Sequence, residues 1–159
     1  MKTIAKSITV NVPLSQAYNQ WTQFEEFPHF MEGVKEVKQL DDKSLHWKAE
    51  IAGKSEEWNA EITEQIPNQR IAWRSTNGAK NSGAVSFSAQ GTDQTEVNLE
   101  VEYEPEGMLE NLGDMVGLVS ARIFGDLNRF KEFIETKHTA TGGWRGEIPA
   151  STEPAGVNI

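Results

Sequence analysis

Residues 95–104 read TEVNLEVEYE, and this stretch is the clearest guide to the fold. Val97, Leu99, Val101 and Tyr103 alternate with glutamate and asparagine. Because the side chains of a β-strand point to opposite faces in turn, this alternation predicts a strand with one apolar face and one polar face. Such a strand is typical of an antiparallel sheet that buries one side and exposes the other to water.

Similar strand patterns, separated by turn residues, fill most of the chain before this stretch. These strands are predicted over residues 3–12, 34–40, 44–51, 56–65, 70–76 and 84–90. Two short helices are predicted between the first two strands, with Ser15 as the N-cap of the first. The first has Ala17, Tyr18, Trp21 and Phe24 on its inner face, and the second covers residues 27–31.

A long helix is predicted over residues 108–137, where apolar side chains recur at spacings of three and four. These side chains are Leu112, Met115, Val116, Val119, Ile123, Leu127, Phe130 and Ile134. The apolar face of the sheet must be buried against another element, and this helix is the remaining element that can pack on it. The sequence therefore predicts an α+β fold in which a curved, seven-stranded antiparallel sheet wraps around a long C-terminal helix.

Composition excludes several classes of protein. The 159 residues fit one domain, and the formal net charge of −9 argues against nucleic acid, which favours a basic surface. The chain has no cysteine, and His29, His46 and His138 lack the spacing of metal ligands, so neither a metal nor a cofactor is expected. No stretch approaches the roughly 20 apolar residues of a membrane span, and no secretory signal pattern is visible. We therefore expect a cytoplasmic protein without integral membrane insertion.

The composition changes after Lys137, where glycine and proline replace the periodic apolar pattern. We therefore expect one domain over residues 1–137 and an irregular tail over residues 138–159. The tail contains Trp144 and Arg145 between glycines, in the motif GGWRG. An indole in such a tail docks back on the domain, covers an opening, or contacts a second chain in a homodimer. The sequence leaves these alternatives open.

Three of the five tryptophans, Trp47, Trp58 and Trp73, fall on the predicted inner faces of separate strands. An indole is large and apolar, and its N–H needs a partner when it is buried. Such rings either fill the core or line a pocket for a flat apolar ligand. The residues themselves leave both interpretations open.

Several short motifs in a fixed order connect the chain to a known superfamily. They are Pro13 before the first helix, Phe27-Pro28 with Phe30, Ile71-Ala72-Trp73, Gly83-x-Val85-x-Phe87, Thr95-x-Val97 and Phe130-Lys131. With this order of elements, residues 3–137 resemble the helix-grip fold of the START-like (SRPBCC) superfamily. Within it the chain is similar to the bacterial polyketide cyclase/dehydrase-like group, whose relatives include the coenzyme Q-binding proteins.

The resemblance implies an elongated cavity for an apolar ligand between the sheet and the long helix. The residues expected to line it are Phe30, Trp47, Ile51, Trp58, Trp73, Phe87, Leu99, Val101, Tyr103, Leu112, Met115, Val116, Val119 and Ile123. The leading hypothesis is a protein that binds a hydrophobic small molecule without transforming it. A lipid, a quinone or a polyketide-like compound fits this hypothesis, since the superfamily determines the fold more closely than the chemistry.

Two alternatives remain. A polyketide cyclase/aromatase or dehydrase would use the same cavity, with Arg122, His29 or Tyr103 polarising a carbonyl or moving an enol proton. The sequence has no nucleophile elbow, phosphate-binding loop or dinucleotide motif. These three residues are therefore the remaining catalytic candidates. The other alternative is a non-catalytic, stress-related or protein-interaction module that uses the tail or the acidic surface.

Overall fold

The alternating segments form seven strands, with helical segments between the first two strands and after the last. The structure is a computed structural model that describes residues 2–51, 54–78, 80–103, 115–137 and 140–149. Within these ranges, the side chains at positions 2, 51, 54 and 115–120 are not described. The strands are β1 (Lys2–Val10), β2 (Val34–Gln39), β3 (Ser44–Ile51), β4 (Lys54–Ile66), β5 (Arg70–Ser75), β6 (Asn81–Gly91) and β7 (Gln94–Tyr103). Helix α1 spans Leu14–Trp21, a 3₁₀ helix spans Phe24–His29, and helix α2 spans Met115–Lys137.

All seven strands lie in one antiparallel sheet with the order β1-β7-β6-β5-β4-β3-β2. From β2 to β7, strands that follow each other in sequence are neighbours, which is a meander. β1 is added beside β7, with Ile4 opposite Val101 and Ile8 opposite Val97. The predicted fold class, a seven-stranded antiparallel sheet with a long C-terminal helix, is confirmed.

Several element boundaries differ from the sequence prediction. β1 ends at Val10 instead of residue 12, and the second helix spans Phe24–His29 instead of residues 27–31. Pro13 is the N-cap of α1 and no side chain caps the helix, so the expectation that Ser15 caps it is wrong. Ser15 lies inside the first turn because Pro13, with φ at −61°, already supplies the extended residue before the helix. β6 begins at Asn81 rather than at residue 84, because Gly83 pairs with Trp73 instead of ending a loop.

Trp21, the last residue of α1, is the centre of the aromatic core. Its ring centroid lies 4.9 Å from that of Phe130, 5.5 Å from that of Phe27 and 6.3 Å from that of Phe87. These rings belong to α2, the 3₁₀ helix and β6. Edge-to-face contacts of this kind add to the free energy gained by burial, so Trp21 ties four elements together.

Helix α2 runs beside β1. Its fully buried side chains, predicted by the helical spacing, include Leu127, Phe130 and Ile134. The Lys131 ammonium donates to the Thr9 carbonyl at 3.0 Å, and the Asn11 N–H donates to the Glu135 carboxylate at 2.7 Å. Both bonds fasten the helix to the end of β1. Residues 108–114 of the predicted helix lie outside the described residues.

Residues 140–149 return from α2 to α1 and β4, and we call this segment the strap. Ile148 forms an antiparallel bridge with Gln65, with N to O distances of 2.7 and 2.8 Å. The bridge lies on the edge of β4 where pairing with β3 has ended at Glu61. Trp144 is half-buried and packs against the core, so it docks back on the domain. The docked strap is part of the region expected to be an irregular tail.

His46 lies on the outer face of the sheet between two hydrogen-bond partners. Its Nδ1 contacts the side-chain oxygen of Asn59, and its Nε2 lies 3.0 Å from the Glu57 carboxylate. The hydrogen bond with Asn59, followed by that with Glu57, raises the pKa of His46 above its ordinary value of 6.5. Protonation of His46 therefore stabilises this part of the sheet.

We expect Trp21→Ala to lower the free energy of unfolding by about 3–5 kcal/mol, because it removes a large ring that is only 2% exposed. The control is Phe124→Ala on α2, whose ring is 50% exposed, with an expected loss below about 1 kcal/mol. Urea titrations followed by circular dichroism measure both. Equal losses for the two variants would contradict the central role of Trp21.

The raised pKa of His46 predicts a dependence of stability on pH. A group whose pKa is raised by folding adds to the free energy of unfolding. This contribution is fully present below the pKa of the unfolded state, here about 6.5, and it is lost as the pH rises through the pKa of the folded state. We therefore expect the stability advantage of the wild type over His46→Gln to decrease as the pH rises above about 6.5 and passes through the raised pKa of His46. Urea titrations at several pH values test this, and an advantage that stays constant or grows would refute it.

Candidate functional site

Trp47 and Trp58 lie directly opposite each other on β3 and β4. Their rings are stacked, with centroids 5.7 Å apart and planes 8° from parallel. Trp47 also contacts Phe27, at 5.6 Å between centroids, which joins the pair to the aromatic core. Both indoles are half-buried, unlike the core rings. The pair therefore presents apolar surface that the described core does not cover completely.

Trp73 extends this apolar surface to β5. A Cβ atom on Gly83 would lie 2.6 Å from Cζ2 of the indole, so the glycine allows the ring to lie across β6. Val101 of β7 is opposite Gly83 and is half-buried, as is Trp73. We call the surface formed by Trp47, Trp58, Trp73 and Val101 the tryptophan face.

Two neutral hydrogen-bond donors on this side of the sheet have no partner among the described residues. Tyr103 is 7% exposed, and neither its hydroxyl nor the indole N–H of Trp47 finds a hydrogen bond in the part of the chain that the structure describes. Burial raises the pKa of the Tyr103 hydroxyl, which therefore keeps its proton. An unpaired buried donor is unfavourable, by about 1–3 kcal/mol, unless a ligand or a water accepts its hydrogen bond.

Arg122 lies at the seam between α2 and the loop before β2. Its guanidinium is packed against Gly33, where a Cβ atom would clash with it. Its Nε lies 3.9 Å from the Glu32 carboxylate, and one third of the side chain (34%) is exposed. The structure therefore gives Arg122 a position at the surface seam.

His29 ends the 3₁₀ helix on the surface. Its side chain is 61% exposed, its ring stacks on Phe133 at 6.1 Å, and its Nε2 lies 3.6 Å from the Glu26 carboxylate. His29 is therefore a surface residue in the described structure. The buried faces of the 3₁₀ helix are taken by Phe24 and Phe27, which leaves His29 on the opposite side.

An ion cluster beside Arg122 fastens α2 to the segment before β2. Arg129 donates to the Phe30 carbonyl at 2.9 Å and pairs with Asp126, which accepts the Glu32 N–H at 3.1 Å. Burial raises the pKa of Asp126, and the hydrogen bond from Arg129 offsets part of the rise. These charges hold two elements together, which is a structural role.

Within the ranges described above, no group of three or more histidine, aspartate or glutamate side chains is arranged to hold a metal ion. No helix of those ranges is long and apolar enough to cross a bilayer. The tryptophan face presents apolar rings and two neutral donors.

Comparison with known proteins identifies the family. Residues 10–132 match the family model described as polyketide cyclase / dehydrase and lipid transport. The chain belongs to this family. A 17.2 kDa protein of Streptomyces lincolnensis, encoded in the melC2–rnhH intergenic region and described as uncharacterized, is 46% identical over 149 residues, which cover 93% of this chain and 99% of the relative.

Solved structures agree with membership in the polyketide cyclase / dehydrase and lipid transport family. A protein from Deinococcus radiodurans is 32% identical, with a TM-score of 0.69 over 86% of this chain and 99% of the other. The aromatase/cyclase Zhui from Streptomyces sp. R1128 has a TM-score of 0.74 at 16% identity, over 90% and 99% of the two chains. A START superfamily protein from Mycobacterium smegmatis has a TM-score of 0.69 at 17% identity, over 82% and 98%. The last two show the fold alone, and they confirm the helix-grip arrangement.

The residues that the sequence analysis expected to line a cavity divide into three sets. Phe30, Phe87, Leu99 and Tyr103 are buried, and the first three of them belong to the packed core. Those that are half-buried are Trp47, Trp58, Trp73, Val101 and Ile123. Leu112 lies outside the described residues, as do the side chains of Ile51, Met115, Val116 and Val119.

The sequence analysis missed Gln65 as an interior residue. Gln65 is 1% exposed, and neither atom of its amide group has a hydrogen-bond partner among the described residues. Regular alternation from the buried Ile62 would have turned Glu64 inward. A register shift between Ile62 and Glu64 turns Gln65 inward instead and leaves Glu64 paired with Arg70. A bulge of this kind has no clear signal in the sequence.

We expect Gly83→Ala to lower the free energy of unfolding by about 1–3 kcal/mol, because the new Cβ atom would lie 2.6 Å from both the Trp73 ring and the Glu100 carbonyl oxygen. The control is Gly91→Ala in the same strand, where a Cβ atom meets nothing within 4 Å. Urea titration measures both variants, and near-ultraviolet circular dichroism reports on the indoles. If Gly83→Ala were as stable as the control, the close contact between Trp73 and Gly83 would be disproved.

Proposed function

We propose that the protein binds a hydrophobic small molecule in a cavity between the tryptophan face and α2, without transforming it. Lipids, quinones and polyketide-like compounds are the ligand classes covered by this proposal. The observation that carries it is the stacked pair Trp47–Trp58, which stays half-buried beside a closely packed aromatic core. Aromatic walls with a few polar groups are typical of sites for small apolar ligands.

The energetics of this surface favour an apolar ligand. Apolar area removed from water stabilises a complex by about 25 cal/mol per Å². The unpaired donors of Tyr103 and Trp47 would orient a carbonyl or hydroxyl oxygen of the ligand. The family description, which includes lipid transport and polyketide chemistry, agrees with a ligand of this kind.

The positions of the charged candidates favour binding over catalysis. A general acid or base must lie within hydrogen-bond reach of the reacting group. His29 is exposed, and Arg122 lies against Gly33 beside the Glu32 carboxylate. Neither side chain is placed to act on a ligand at the tryptophan face.

The second candidate function is that of a cyclase, aromatase or dehydrase, and Tyr103 is the observation that favours it. Its hydroxyl is buried, keeps its proton and has no partner among the described residues. Such a hydroxyl can donate to a substrate carbonyl while an enol proton moves.

Binding is tested with protein purified from its own cells by native mass spectrometry, and with the neutral fluorescent probe N-phenyl-1-naphthylamine. We expect a co-purified apolar molecule and saturable probe binding. Trp58→Ala should weaken the equilibrium affinity for the probe about tenfold, because it removes half of the stacked pair. Trp144→Ala, which removes a half-buried indole of the strap, is the matched control and should leave the affinity unchanged. A protein with no bound molecule and no affinity for the probe would refute the proposal.

Tyr103→Phe separates the two candidate functions. A binding protein should keep its affinity for the probe within about threefold, because the ring and its burial are retained. An enzyme that uses the hydroxyl should lose turnover of a polyketide-like substrate while it keeps the binding. Turnover by the wild type, lost in Tyr103→Phe, would favour the second candidate.

A further inference from the structure

The two edges of the sheet are protected in different ways. β1 forms one edge, and the Lys131 ammonium of α2 bonds to its Thr9 carbonyl at 3.0 Å. β2 forms the other edge, where the Glu25 carboxylate accepts the Gln39 N–H at 2.9 Å. An edge strand whose outward backbone groups are unpaired is a template for pairing with a strand of another molecule. Whether β2 has such groups depends on the direction of each residue along the strand.

Two hydrogen bonds give this direction. The Leu40 N–H donates to the Ser44 carbonyl of β3 at 2.8 Å, so the backbone groups of residue 40 point toward β3. The Gln39 N–H points away from β3, toward Glu25. Because these directions alternate along an antiparallel strand, Val37 also directs its N–H and its carbonyl away from β3. Among the described residues, no side chain bonds to either of these two groups.

An open groove runs beside this backbone. Its volume is about 420 Å³, and it is lined by Glu25, Pro28 and residues 35–40. Four of the lining side chains are charged, two glutamates and two lysines, so the groove is electrically balanced although the chain carries a net charge of −9. Leu40, at one end of the groove, is 59% exposed. A second copy of this acidic chain would therefore meet less repulsion here than over the rest of its surface.

The charge pattern of β2 is complementary to itself. If two copies of β2 lie antiparallel with Val37 opposite Val37, Glu36 of each copy lies opposite Lys38 of the other copy. Opposite charges at directly opposed positions stabilise the pairing of two strands. Within one copy, Glu36 lies 3.7 Å from Lys38 and 3.5 Å from Lys48. Such exposed ion pairs contribute little to stability, so exchanging them for pairs between copies costs little.

We propose that the protein forms a homodimer through β2, in which the two sheets join into one continuous sheet. The Val37 N–H of each copy donates to the Val37 carbonyl of the other, and a Glu36–Lys38 ion pair lies on each side of this centre. Glu25 keeps its bond to Gln39, which confines the pairing to the middle of β2.

The dimer is weak and lies beside the candidate site. A single pair of short strands buries less than the roughly 800 Å² per partner of a standard interface, so the dimer forms only at high protein concentration. Val37 is opposite Trp47 of β3. Because directly opposed residues of an antiparallel sheet point to the same side, the tryptophan faces of the two copies lie on the same side of the joined sheet. The dimer does not depend on the function proposed above.

Charge reversal tests the dimer, by sedimentation velocity of the full chain from about 10 µM to about 1 mM. The sedimentation coefficient of the wild type should rise with concentration toward that of a dimer. Glu36→Lys places two lysines opposite each other, and Lys38→Glu places two glutamates opposite each other, so each variant alone should dimerise about tenfold more weakly. An equimolar mixture of the two variants restores opposite charges at both positions. The mixture should therefore form a heterodimer with an affinity close to that of the wild type.

The matched control is Glu100→Lys, an exposed residue of β7 outside the groove, because it makes the same change of net charge as Glu36→Lys. It should leave the dimer unchanged. A wild type that stays monomeric throughout would overturn the proposal. A wild-type dimer that survives both reversals would overturn β2 as the interface, and a mixture that stays monomeric would overturn the antiparallel pairing about Val37.

Hydrogen exchange measured by NMR on the wild type tests the same contact without a substitution. The Val37 amide should exchange several-fold more slowly at about 1 mM than at about 50 µM, because a backbone hydrogen bond forms in the dimer. The Gln39 amide, which is bonded to Glu25 in one copy, is the internal control and should not change. A Val37 rate that is independent of concentration would contradict the pairing.

Discussion

The whole arrangement depends on the pairing of the first strand with the last. β1 lies antiparallel along β7, with Val10 opposite Thr95 at one end. Because most of the chain lies between these strands, the pairing closes a long loop, and burial must offset the entropy of closure. The pairing also positions α2, since Lys131 and Glu135 hydrogen-bond to backbone groups at the end of β1. Without β1 in this place, β7 would be an open edge of the sheet, and α2 would lose its hydrogen bonds to the end of β1.

The inner face enclosed in this way has two unlike halves. At one end, rings from α1, the 3₁₀ helix, β6 and α2 meet around Trp21, and several of them are fully buried. At the other end, Trp47 and Trp58 stack on each other and remain half-buried. A close-packed cluster holds its side chains in fixed positions, whereas a half-covered ring leaves area on which another apolar group can pack. The packed end therefore stabilises the fold, and the tryptophan face stays half-covered.

Sequence patterns predicted the features that depend on neighbouring residues. The alternation in residues 95–104 indicated that Val97 and Tyr103 face the core, and both are buried. The burial of Gln20 had no such signal, because it depends on Thr141, which lies 121 positions away in the sequence. Likewise, one bulge in β4 decides whether residue 64 or Gln65 faces inward. The spacing of apolar residues shows which side of a helix or strand is apolar, but it does not show which distant segment covers the polar side. Contacts between distant segments therefore determine the candidate site as much as the apolar spacing does.

The placement of charge argues for a neutral ligand. Moving a charged group into an apolar interior is strongly unfavourable unless a partner charge accompanies it. Lys6 occupies an inner-facing position on β1, yet its ammonium lies 6.0 Å from the centroid of the Phe124 ring, which is itself 50% exposed. A long side chain that extends toward water in this way keeps its charge hydrated while its stem packs on apolar surface. Arg122 and Asp126 are likewise engaged at the seam beside the interior. Among the described residues, the donors left on the tryptophan side are the neutral groups of Tyr103 and Trp47. For the ligand proposed above, they would match an uncharged oxygen better than a carboxylate or a phosphate.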